Sequence, residues 1–143
     1  MHPLETGGVL LGWRSGVDRI VADLVGPGPR ALHGRHRFLP DHAWQVRRIQ
    51  EAFSSTNGDL DYLGDWHTHP SGRAEMSSED YATLRALHRH VPGALMVIGA
   101  GVEEDWAFGA WSLRPGGLLR RPLVDVRELR SFAAPVGWPD AAH

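Results

Sequence analysis

The chain has no cysteine among its 143 residues. That absence excludes a thiol nucleophile, thiolate metal ligands and a disulfide framework, and it is compatible with a reducing compartment. A hydrophobic run long enough to span a bilayer is also missing. Met1-His2-Pro3-Leu4-Glu5 does not read as a signal peptide, so the expected location is the cytoplasm, with no membrane partner. Charge of one sign is lacking too: the formal net charge is −2, with arginines scattered among acids, and no nucleic-acid partner is expected from it. Repeats and low-complexity segments are absent.

What is present fits one modest core. With 42% hydrophobic residues the chain can bury a single core and has no room for a second sizeable domain. The expectation is a single α+β domain over residues 1–131, followed by a loose tail, 132–143, rich in proline and alanine. Gly8 to Trp13 and Val17 to Val25 read as a strand pair around Arg14-Ser15-Gly16, and Gly26-Pro27-Gly28-Pro29 is a break. A short strand is predicted at 36–40. Asp41 caps a predicted helix to Phe53 with Ala43, Val46, Ile49, Gln50 and Phe53 on one face. Later strands are predicted at Ala94 to Ala100, at Trp106 to Leu113 and at Leu118 to Val126. Trp106 and Trp111 are expected in the core.

The densest chemistry lies between Trp66 and Asp80, in the run WHTHPSGRAEMSSED. Leu60 to Trp66 reads as a strand after the turn-like Asn57-Gly58-Asp59, so His67 and His69 sit at its end or just beyond. Side chains two apart on a strand share one face. Pro70 then stops regular pairing, because it has no amide proton to give. From Ser77 or Ser78 a helix is predicted, with Tyr81, Leu84, Leu87 and His88 at helical spacing and Asp80 in its first turn. Two histidines and one carboxylate make a hydrolytic zinc set that leaves a fourth position for water, and His67, His69 and Asp80 would supply it. Taken singly, Ser77-x-x-Asp80 also reads as a capping box and a lone His-x-His as surface histidine. The joint register favours the metal.

At this point the sequence resembles the JAMM or MPN-plus metalloproteases, also called JAB-domain proteins. Their signature is an upstream glutamate, then His-Ser/Thr-His-Pro, a short spacer and Ser-x-x-Asp. Here these are His67-Thr68-His69-Pro70 and Ser77-Ser78-Glu79-Asp80, and Leu4-Glu5-Thr6-Gly7-Gly8-Val9-Leu10-Leu11-Gly12 looks like the family's glutamate segment. The resemblance implies a cytidine-deaminase-like, curved mixed β-sheet packed against helices, with one Zn2+ held by His67, His69 and Asp80. It makes Glu5 the general base that takes a proton from the attacking water and hands it to the departing amine. It makes Ser77 a donor to the oxyanion of the tetrahedral intermediate, with Thr68 and Ser78 in support.

The same resemblance implies a substrate class. Family members cleave isopeptide or peptide bonds after the tail of a ubiquitin-like protein, and bacterial stand-alone members are encoded beside conjugation enzymes, including in antiphage defence systems. Others process the C-terminus of a sulfur-carrier protein. The alternative from another class is an MPN scaffold with little or no catalysis. One departure stands out: family members usually carry a strand and a helix before the glutamate, whereas only Met1 to Leu4 precede Glu5. Those elements are expected to be missing here, unless the chain's true start lies upstream or a second copy fills the gap through a homodimer. His33, His36, His42, His88 and His90 fall outside the motif and are expected at the surface. Trp66 either packs behind His67 or lines the cleft.

Overall fold

Residues 5–34, 38–70, 72–102, 104–118 and 120–139 are described by the structure, a computed structural model. Two compact units are distinguished, residues 1–63 with 131–143, and residues 64–130.

In the first unit, β1 (Gly7–Ser15) is buried from Gly7 to Gly12, as its continuous apolar run requires. It pairs antiparallel with β2 (Asp18–Val25) across the Gly16-Val17 turn. Two residues each remain of β3 (Leu32–His33) and β4 (Phe38–Leu39), which pair with one another. Positions 36 and 37 of the predicted strand lie outside the described residues.

Helix α1 (His42–Ser55) starts where expected, because Asp41 accepts the Trp44 amide at 3.2 Å. Its buried face differs from the predicted one. Gln45 and Ala52 are buried, while Ala43 and Gln50 are exposed and Phe53 is 46% exposed. The cause is a polar residue that the apolar pattern ignores. Gln45 Nε2 donates to the Gly26 carbonyl at 3.1 Å, which satisfies the amide and turns the Gln45 side inward. Ala52 then joins Val9, Leu11, Val25 and Leu60 in one core, with Trp13, Trp44 and Ile49 against it. The tail contributes an aromatic anchor: the Trp138 ring stands edge-on to Trp13 at 5.0 Å and to Phe132 at 5.4 Å. Strand β5 (Asp61–His69) begins in this unit and runs on into the second.

In the second unit β5 continues from Gly64, helix α2 (Ser78–His90) crosses over, and β6 (Leu95–Val102) returns parallel to β5. Parallel neighbours need such a crossover. Strand β7 (Asp105–Arg114) pairs antiparallel with β6, and β8 (Leu123–Arg127) antiparallel with β7, so the sheet is mixed. Strand β8 is shorter at its start than the predicted Leu118 to Val126. Arg120 closes a turn onto the Gly117 carbonyl, Pro122 has no amide to donate, and Leu118 is 92% exposed. Leu84 of α2 packs with Met96, Ile98, Trp111 and Leu113, flanked by Met76 and Tyr81. Each fully buried leucine in such a cluster contributes about 1.5–3 kcal/mol. Trp106 departs from the core expectation. It is 37% exposed and stacks on the more exposed Phe108, while Trp111 is 9% exposed.

Candidate metal centre

Register fixes which way the histidines face. His67 pairs with Ile98, which pairs with Gly109, and residues opposite one another in a sheet share a face. His67 and His69 therefore lie on the face of Ile98, the side that α2 covers. Trp66 and Thr68 alternate to the opposite face, so Trp66 stands behind the histidines rather than beside their nitrogens.

The first turn of α2 delivers the third group. Ser77 is its N-cap: the Ser77 hydroxyl accepts the Asp80 amide at 3.1 Å, and the Asp80 carboxylate accepts the Ser77 amide at 2.9 Å. The capping box and the ligand pattern are thus one arrangement, since the cap that starts the helix also aims the carboxylate. His67 Nε2 lies 3.0 Å from one Asp80 oxygen, His69 Nε2 lies 3.2 Å from the other, and the two Nε2 atoms are 3.2 Å apart. Nitrogen and oxygen ligands at zinc bond lengths in a tetrahedron are separated by about 3.3 Å. The observed spacing is consistent with a zinc site, and among the described residues these three form the group able to hold a metal ion.

Charge and hydrogen bonding tune the cluster. Burial by itself would push the Asp80 carboxyl upward, but the His67 hydrogen bond, the Ser77 amide and the His67 charge outweigh it and hold the carboxyl at about 2, below its ordinary 3.8. His69 Nδ1 is 3.1 Å from the Arg73 carbonyl. A carbonyl only accepts, so Nδ1 donates its proton there, which leaves Nε2 as the ring atom turned toward the cluster and the one a metal would take.

Glu5 belongs to the first unit and is half-buried there. Its backbone is held at both ends: the Glu5 amide donates to the Gly34 carbonyl at 2.9 Å, and the Glu5 carbonyl accepts from His33 Nδ1 at 2.9 Å. His33 is therefore not the free surface side chain expected. It is partly buried and ties the beginning of the chain to β3. His88 accepts the Gly93 amide at 3.1 Å, a role at the helix end, while His42 and His90 are exposed and His36 lies outside the described residues. The Arg73 carbonyl and His33 Nδ1 escaped the sequence reading for one reason. Each acts by a backbone contact that no residue type advertises.

A strand end carrying two histidines, a helix start carrying an aspartate, and an α+β frame define the centre of a JAMM/MPN-type metalloprotease. The chain belongs to the family described as prokaryotic homologs of the JAB domain, which matches residues 1–113. It is 33% identical over 132 residues to the "Probable metalloprotease y4qB" of Sinorhizobium fredii, covering 88% of this chain and 79% of that protein. It is 38% identical over 102 residues to the "CD-NTase/cGAS isopeptidase" of Vibrio cholerae, covering 71% of this chain and 65% of that one. A solution structure of a Desulfitobacterium hafniense protein shares the fold, with a TM-score of 0.63, 22% identity, and coverage of 87% of this chain and 75% of that one.

Proposed function

We propose that this chain is a zinc-dependent isopeptidase that releases a ubiquitin-like protein from the lysine amine of a CD-NTase/cGAS-type enzyme, cutting after the ubiquitin-like C-terminal tail. The observation that carries the reading is the convergence of His67 Nε2, His69 Nε2 and Asp80 within a family match, with a relative named for this isopeptidase activity. A zinc ion bound by these three supplies Lewis acidity toward water and the scissile carbonyl.

The remaining work falls to the chain's own groups. His69, held by the Arg73 carbonyl, and Asp80, held by the Ser77 amide, keep the ligand atoms aimed. Glu5 takes a proton from the attacking water as its oxygen joins the carbonyl carbon, then gives that proton to the lysine nitrogen as the C–N bond breaks. The Ser77 hydroxyl accepts from the Asp80 amide and keeps its own proton, which it donates to the oxyanion.

The test is cleavage of an isopeptide-linked ubiquitin-like conjugate followed by mass spectrometry. The expected result is release of an intact tail carboxylate, abolished by chelation and by Glu5→Gln while Glu5→Gln still binds zinc. Cleavage that persists after His69→Ala would overturn the mechanism. Cleavage of linear tail fusions alone would assign carrier-protein processing instead.

A further inference from the structure

We propose that Gly109 on β7 is a positioning residue for the metal centre. It rests on reading His67, His69 and Asp80 as metal ligands, and it concerns what holds His69. The backbone of Gly72–Met76 runs from the end of β5 toward α2 on the ligand face of the sheet, and it is tied down at three points. The Arg73 carbonyl receives His69 Nδ1–H at 3.1 Å, the Met76 side chain packs on the core formed by Leu84, Ile98 and Trp111, and the Ala74 carbonyl rests over Gly109.

The third contact exists because residue 109 has no side chain. A Cβ built there would meet the Ala74 carbonyl oxygen at 2.8 Å and would also fall inside the Trp111 indole, which lies across the glycine. Ordinary van der Waals contact begins at 3.4 Å, so full relief of the conflict takes a withdrawal of the Ala74 carbonyl by about 0.6 Å. Arg73 is the adjacent residue. A comparable displacement of its carbonyl away from His69 would stretch the 3.1 Å contact past the range of a hydrogen bond. His69 then loses the partner that holds its ring, and its Nε2 is no longer kept aimed at the cluster. Loss of such an outer hydrogen bond typically weakens metal binding about 10- to 100-fold.

Gly109→Ala is the test, read by zinc titration and by imidazole nitrogen NMR of the metal-free protein. The expected result is zinc binding weaker by about 10- to 100-fold, with the His69 Nδ1–H signal losing the signature of its hydrogen bond to the Arg73 carbonyl. The same shifts are expected on a Trp111→Leu background, where the indole conflict is gone and the Ala74 conflict remains. That background serves as the test if the single variant does not fold. A variant that melts at lower temperature but keeps the parent's zinc affinity and His69 Nδ1–H hydrogen bond would overturn the proposal and make Gly109 a packing residue only. If the parent itself binds no zinc, the reading of the cluster fails, while the Nδ1–H hydrogen-bond comparison still decides whether Gly109 acts on His69.

Discussion

Replacing Asp80 by asparagine separates the charge of the cluster from its shape. Asparagine can still accept the Ser77 amide, and its own amide still reaches the Ser77 hydroxyl, so the helix cap largely survives. What goes is the anion. In the metal-free protein the Asp80 carboxyl is held at about 2 against an ordinary 3.8, and a depression of that size is worth about 2 kcal/mol. Because the folded-state value lies below the unfolded one, this stabilisation is fully present above about pH 4 and is lost as pH falls through about 2. Urea unfolding with chelator present is the assay, comparing parent and Asp80→Asn at several pH values. The expected gap is about 2 kcal/mol near pH 5, narrowing below about pH 4 and closing near pH 2. A gap that is absent at pH 5, or that does not change between pH 4 and pH 2, would refute the electrostatic reasoning.

Other substitutions probe other links. Ser77→Ala removes the acceptor for the Asp80 amide and should cost about 1 kcal/mol in thermal unfolding. It should also lower turnover on the order of a hundredfold or more, with Ser77→Thr restoring both. His33→Ala should accelerate hydrogen exchange at the Glu5 amide and reduce kcat while zinc stoichiometry stays at that of the parent. Leu84→Ala opens the core beneath α2 and should destabilise by about 2–5 kcal/mol in denaturant melts.

Much of the second unit was legible because its signals are local and agree with one another. The i, i+2 histidines, the helix-breaking Pro70 and the Ser77 cap each fix a backbone state, and together they dictate which side chains meet. Helix α2 was readable for the same reason, with Tyr81, Leu84, Leu87 and His88 on its inner side. The inner face of α1 departs from the apolar pattern because Gln45 is buried by a hydrogen bond it donates to a distant loop, which hydrophobic periodicity does not register. Trp106 was misplaced because the early part of β7 is exposed, a tertiary fact that aromatic character does not carry. The contact that holds His69 runs through a carbonyl, and the seat beneath it is an absent side chain at Gly109. Residue identity at position 73 therefore says nothing about either.

Anomalous diffraction at the zinc edge from zinc-loaded crystals bears most directly on the central claim. One peak should appear about 2.0–2.2 Å from His67 Nε2, His69 Nε2 and an Asp80 carboxylate oxygen. No peak at that position, or zinc bound instead to other side chains, would contradict a metal-centred hydrolase.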